Sequence, residues 1–161
     1  MNSAKGLLIL EEEDFELVES GKVTHLIHTV GCKYSIVMFY TDECDQCKVI
    51  KPILLGFVGN PTIQICMVNV YDPDSVNLIE QSQKTTTPLQ HVPFIVFYIN
   101  GIPFKKYDGQ YNFSDFQSFV QNVMVEASKI KDTSEINEIP PYTIGKPNSA
   151  KVCYLTYQKA Y

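Results

Sequence analysis

The chain has 161 residues, a net charge of -5 and no Trp, with 45% hydrophobic and 19% charged residues. That length suffices to bury about 70% of the unfolded surface around one core, and the composition is that of a globular protein, not a disordered one. With no Arg anywhere in an acidic chain, the two-pronged donors that phosphates and guanine edges attract are missing, which argues against nucleic acid as a partner.

The opening MNSAKGLLILEEEDF holds an apolar run of only four residues ahead of a block of acids. It is too short for a signal peptide or a membrane span, and no later run approaches a spanning length, so no membrane partner is expected. These features predict a cytoplasmic, reducing setting, in which a close cysteine pair is catalytic or metal-binding more often than structural.

After the apolar run at residues 7–10, the acids at 11–14 can open a helix at Phe15. Residues 15–18 and 23–27, separated by Ser20-Gly21, can equally form a hairpin, and the pattern leaves both open. Residues 35–40, SIVMFY, are a continuous β-branched and aromatic run and predict a central strand covered on both faces. From Asp45, Val49, Ile50, Ile53, Leu54 and Phe57 recur at helical spacing, predicting a helix kinked at Pro52 and ended by Gly59-Asn60-Pro61. A second buried strand is predicted over 63–71, and a shorter helix over 73–83 with Val76, Leu78 and Ile79 inward. Residues 94–99, FIVFYI, form a third dense strand, and Asn100-Gly101 turns the chain back into an antiparallel strand over 104–107. Asn112 or Ser114 caps a last amphipathic helix with Phe113, Phe116, Val120, Val123 and Met124 on its apolar face.

From Lys129 the chain turns polar through KDTSEINEIPPYTIGKPNSAK and ends in the alternating segment VCYLTY, residues 152–157. This divides it into a domain over 1–128 and a C-terminal extension over 129–161, a connector plus a strand that docks back on the domain. The order βαβα followed by a hairpin and a helix predicts an α/β fold with a mixed central sheet flanked by helices.

The chemistry concentrates in CDQCKVIKPIL, where Cys44 and Cys47 stand two residues apart at a helix start. The free amides and dipole there favour a thiolate, and a C-x-x-C turn aims Cys44 outward with Cys47 within bonding distance. A bare C-x-x-C is a weak signal. Joined to the helix proline Pro52 and to HVPFIVFYINGIPFKKYDG, it resembles the thioredoxin family over residues 7–125, with Pro93 in the place of the family's cis-proline. The resemblance implies a thioredoxin-like fold and a protein dithiol-disulfide oxidoreductase without organic cofactor. In it Cys44 attacks, Cys47 resolves, and the backbone of Val92 beside Pro93 pairs with an extended partner chain. Its partners are protein thiols or disulfides; the direction of exchange, the physiological partner and the oligomeric state are not readable.

Several positions depart from the family pattern. Glu43 replaces the Trp that usually precedes the first cysteine and joins the surface that meets a partner, while Asp45-Gln46 replaces Gly-Pro as the intervening pair and modulates the thiols. With Asp42, three acids surround Cys44; they oppose a thiolate that the helix start favours, and they imply partners with basic surfaces. Met38 stands where the family has a buried Asp, and Met67 where it has the Lys that pairs with it. The usual proton acceptor for the resolving step is thus missing, and Glu43 or a water is the replacement considered.

Blander readings apply to the same residues. The pair could be inert core, since cysteine is often buried; Cys66 in its hydrophobic strand is read that way. His25, His28 and Cys32 have spacings a zinc ion could use with Cys44 and Cys47. Against this they lie on separate elements, and no metal is expected. Cys32 and Cys153 have no matching partner motif, and sequence does not decide whether they pair. His91 reads as a surface loop residue. A redox-silent binding or structural module of the same fold, as a virion component, is the rival function.

The tail IPPYTIGKP followed by KVCYLTYQKAY resembles the C-terminal segment of thioredoxin-like proteins from large cytoplasmic DNA viruses. That resemblance implies a setting in the host cytoplasm or the virion, with the tail's Tyr residues covering a sheet edge or forming an interface.

Overall fold

The computed structural model describes residues 6–130 and 153–155. Its elements in chain order are β1 (Leu8–Ile9), β2 (Phe15–Ser20), β3 (Val23–His28), β4 (Tyr34–Tyr40), α1 (Asp45–Leu55), β5 (Ile63–Asn69), α2 (Asn77–Gln81), β6 (His91–Val92), β7 (Phe94–Ile99), β8 (Ile102–Lys106), α3 (Phe113–Ser128) and β9 (Cys153–Tyr154). Five strands form a mixed sheet in the order β1-β5-β4-β7-β8. β4 lies at its centre, parallel to β5 and antiparallel to β7.

The apolar run of β4 explains that central place. Ile36, Val37, Met38 and Phe39 are all buried, as are the strand residues that face them from β5 and β7; a strand with no polar face is stable only when covered on both sides. Phe39 packs against Phe15 and Phe94, with ring centroids 5.8 and 6.0 Å away. On the other flank Phe57, just past α1, meets Phe113 at 5.7 Å and Phe116 at 5.3 Å, joining the first long helix to the last.

The open choice at residues 15–28 resolves as a hairpin: β2 and β3 pair antiparallel from Phe15 opposite His28 to Ser20 opposite Val23, and the acids at 12–14 form only a 3-10 turn. The hairpin forms because the turn at Gly21, with φ 65°, returns the chain at once. Two predicted helices are shorter than expected. α1 ends at Leu55 with Gly56 as its cap, ahead of Gly59, and the helix predicted over 73–83 is a short α2 followed by a 3-10 turn at Ser82–Lys84. Val76 is only half-buried there. In α3, capped by the Asn112 side chain accepting from the Asp115 amide at 2.8 Å, Phe113 is 52% exposed. It is the first residue of the helix and leans on Phe57 instead of entering the core.

Most of the predicted connector, residues 131–151, and the ends of the predicted tail strand, residues 152 and 156–157, lie outside the described residues. β9 is the part of the predicted tail strand that is described, and it pairs antiparallel with β6.

Asn100 and Gly101 adopt φ 52° and 83°, the left-handed pair that a two-residue hairpin turn demands. Gly101 also lies against β3, its carbonyl accepting from the His28 amide at 3.0 Å, and an added Cβ would fall 2.2 Å from the His28 carbonyl oxygen. Gly101→Ala is therefore expected to lower stability by about 2 kcal/mol or more in urea unfolding, through strain and backbone collision together. An unchanged midpoint would contradict this packing.

His28 is buried, its Nε2 2.7 Å from Ser35 Oγ and its Nδ1 accepting from the Val30 amide at 3.3 Å. Burial holds its pKa down to about 4, opposed by the Asp14 carboxylate. The unfolded chain takes up this proton below about pH 6.5 and the folded one does not, so stability is full above that value and falls as pH drops toward 4, by on the order of 3 kcal/mol. His91, whose pKa is also held down to about 4, contributes in the same window, so His28→Gln is expected to make the fall of the urea midpoint between pH 6.5 and 4.5 about half as steep; an equally steep fall in the variant would assign the loss to other groups.

Candidate active site

Cys44 is the N-cap of α1, with extended backbone at φ -85° and ψ 110°. The chain leaves the end of β4 at Tyr40, turns through Thr41-Asp42-Glu43, and enters the helix at Asp45, which brings the cysteine pair to the end of the central strand. Cys44 Sγ accepts a hydrogen bond from the Cys47 amide at 3.1 Å. In this arrangement the sulfur fills the role that a Ser or Asp oxygen plays at other helix starts.

On its other side Cys44 Sγ donates to the Val92 carbonyl at 3.7 Å. Val92 ends β6, and the Val92-Pro93 peptide is cis. Pro93 is itself buried. Cys44, Cys47, Val92 and Pro93 are thus brought together from two segments distant in sequence.

Neither sulfur is in a disulfide, and both are buried: Cys44 is 1% exposed and Cys47 2%. This corrects the expectation that Cys44 faces outward. Its sulfur turns inward between the Cys47 amide and the Val92 carbonyl because those two backbone groups satisfy it there.

The acids predicted around Cys44 take separate directions. Asp45 is highly exposed and 3.9 Å from Lys48, a weak surface pair. Asp42 accepts from Asn69 Nδ2 at 3.1 Å. Gln46 is half-buried and Glu43 exposed. A small cavity of about 100 Å³ beside Cys47 is lined by Met38, Tyr40, Thr41, Asp42, Lys48 and Lys51. Asp42 is its carboxylate. Glu43, which the sequence offered as the replacement proton acceptor, instead lines a neighbouring shallow depression with Asp42, Asn69, Tyr71 and Asp72. The sequence did carry a signal for Lys51: it lies four residues past Cys47, on the same face of the helix.

Met38 and Met67 stand directly opposite each other across β4 and β5 and are fully buried. The position where the family carries a buried ion pair is here wholly apolar, and Met38 reaches the cavity beside Cys47. Burial raises the Tyr40 hydroxyl pKa on the same cavity wall, with Asp42 and Asp72 adding to the effect.

The remaining candidates do not join this site. His25 is buried and bonded to Thr86 Oγ1 at 3.1 Å, and His28 is bonded to Ser35. Among the described residues no three of His, Cys, Asp and Glu come together as metal ligands. Cys66 is core, and burial pushes its thiol pKa far up. Cys32 is a half-buried free thiol whose pKa burial also raises. His91 is not a surface residue: it is buried at the strand edge, its ring edge-on to Phe94 at 5.6 Å. Burial holds its pKa down to about 4, and the Lys106 ammonium adds to that.

No family model matches the chain. It is 60% identical to the uncharacterized protein 020R of Invertebrate iridescent virus 3 over 99% of both chains. The chain belongs to this family of iridescent virus proteins. A second relative, the uncharacterized protein 196R of Invertebrate iridescent virus 6, is 42% identical over 80% of this chain and 74% of its own. Among solved structures, a mutant thioredoxin from Halobacterium salinarum matches with a TM-score of 0.53 at 12% identity, over 76% of this chain and 94% of that one. A chain of the ferredoxin:thioredoxin reductase and thioredoxin f2 complex matches with a TM-score of 0.53 at 13% identity, over 75% and 97%. Human ERp44 matches with a TM-score of 0.51 at 13% identity over 76% of this chain, which spans only 30% of ERp44. The fold is thioredoxin-like. Among the described residues no helix is long and apolar enough to cross a membrane.

The capping role of the sulfur can be measured apart from any exchange chemistry. Cys44→Ser retains an acceptor for the Cys47 amide, whereas Cys44→Ala removes it and is expected to be less stable than the serine variant by about 1 kcal/mol. Equal unfolding midpoints would mean that the cap contributes nothing.

Proposed function

We propose that the protein is a dithiol-disulfide oxidoreductase that acts on protein partners through Cys44 and Cys47. The observation that supports this most is the position of Cys44 Sγ, at the start of α1 and in contact with the carbonyl that precedes cis Pro93. The Cys44 thiolate attacks one sulfur of a partner disulfide, forming a mixed disulfide and releasing the partner's other thiolate. Cys47 then attacks Cys44 Sγ, closing the Cys44–Cys47 bond and freeing the reduced partner. Run backward, the same steps oxidise a dithiol.

Val92 offers its backbone to an extended partner chain, a sequence-tolerant mode of recognition. The exposed acids Glu43 and Asp72 beside the site favour a partner with a basic surface. Asp45 and Gln46 modulate the pair from the first turn of the helix. Asp42, on the wall of the cavity that reaches Cys47, is the group best positioned to take the Cys47 proton as that thiol becomes the resolving nucleophile. No organic cofactor enters these steps. The setting is the host cytoplasm or the virus particle, in keeping with the viral relatives.

One observation favours a second reading, a redox-silent module of the same fold. Both sulfurs are almost completely covered, and exchange requires the cover over Cys44 to open.

Insulin reduction by the purified full chain separates the two readings. Turnover that disappears in Cys44→Ser supports the oxidoreductase, and absence of turnover in every thiol buffer supports the silent module. In Asp42→Asn the mixed disulfide is expected to form at an unchanged rate and resolve more slowly by on the order of a hundredfold; unchanged resolution would remove Asp42 from the mechanism.

A further inference from the structure

The edge of β6 is already taken by the chain itself. β9 runs antiparallel to it with Tyr154 opposite His91 and Cys153 opposite Val92, and the Leu155 amide donates to the Gln90 carbonyl at 2.9 Å. The three residues that lead into Pro93 are thus the ones that carry the tail strand. Leu155 packs on the edge of the core, half-buried.

Val92 connects this pairing to the candidate nucleophile. Its carbonyl meets Cys44 Sγ at 3.7 Å, and its partner across the strand pair is a cysteine. Opposed residues of an antiparallel pair stand with Cα atoms about 4.5–5.5 Å apart, so the backbone of Cys153 lies directly alongside Val92. The backbone register therefore sets Cys153 beside a residue whose carbonyl touches the Cys44 sulfur.

Building on the reading of Cys44 as the exchanging thiol, we propose that residues 153–155 occupy the position of a partner strand and that Cys153 is the intramolecular exchange partner of Cys44. When Cys44 and Cys47 are joined, the Cys153 thiolate attacks Cys44 Sγ. The Cys44–Cys153 bond forms, the Cys44–Cys47 bond breaks with its electron pair going to Cys47, and Cys47 takes up the proton that Cys153 gave up. The step is an isomerisation with no net oxidation, and its reverse regenerates the Cys44–Cys47 pair. An external partner must displace the tail strand to reach Cys44, so the tail competes with every substrate.

The test uses the full chain carrying Cys47→Ser, oxidised with glutathione disulfide and mapped by mass spectrometry of unreduced peptides. Two thiols and one glutathione disulfide then yield one Cys44–Cys153 bond and two reduced glutathiones. The expected product is that intramolecular bond. A glutathione adduct on Cys44 beside a reduced Cys153 would overturn the proposal. Adding Leu155→Pro deletes the amide that holds the strand to Gln90 and is expected to lower the Cys44–Cys153 product about tenfold in favour of the adduct; an undiminished yield would show that strand pairing does not bring the thiols together. In the chain with Cys44 and Cys47 intact, Cys153→Ser is expected to speed insulin reduction, and a rate equal to that of the native chain would overturn the competition. If neither chain reduces insulin, the oxidoreductase reading fails by itself, and the peptide map still decides the Cys44–Cys153 bond.

Discussion

A single sulfur atom ties the two halves of the site together. Cys44 Sγ accepts from the Cys47 amide at the start of α1 and donates to the Val92 carbonyl at the end of β6. The first contact caps a helix that would otherwise begin with an unsatisfied donor. The second fixes that helix against the strand edge before cis Pro93. A sulfur held in this way is fixed by backbone groups of two segments, and at 1% exposure it is shut away from solvent.

The core behind this atom is apolar. Met38 and Met67 face each other in the middle of the sheet, and the polar side chains of the site, Asp42, Tyr40 and Lys51, lie around a small cavity. A buried carboxylate would need a partner to offset its desolvation; two thioethers need none. The carboxylate nearest that cavity is Asp42, held by Asn69.

Much of the architecture was legible because it rests on local pattern. The run SIVMFY read as a doubly covered strand, Asn100-Gly101 as a hairpin turn, and Asn112 was one of two helix-cap candidates with Ser114; the structure places the cap on Asn112. The site was legible in part. The C-x-x-C, Pro52 and Val92-Pro93 indicated which residues meet, while the inward turn of Cys44 and the burial of His91 did not show, because the first involves the Val92 carbonyl and the second lies on a strand paired with residues 153–154, both distant in sequence. The hairpin at residues 15–28 stayed ambiguous for a related reason: β2 is exposed along most of its length, so its apolar residues do not follow a buried face.

What the sequence determined by itself, then, was the set of elements and the identity of the two thiols, since strand runs, caps and turns are properties of neighbouring residues. The tertiary structure alone decided how accessible those thiols are and what occupies the edge of β6. Both follow from pairing between segments far apart along the chain, His91–Val92 with Cys153–Tyr154, and strand register over such a distance is set by which edges remain free once the sheet has formed, a quantity that no local pattern encodes.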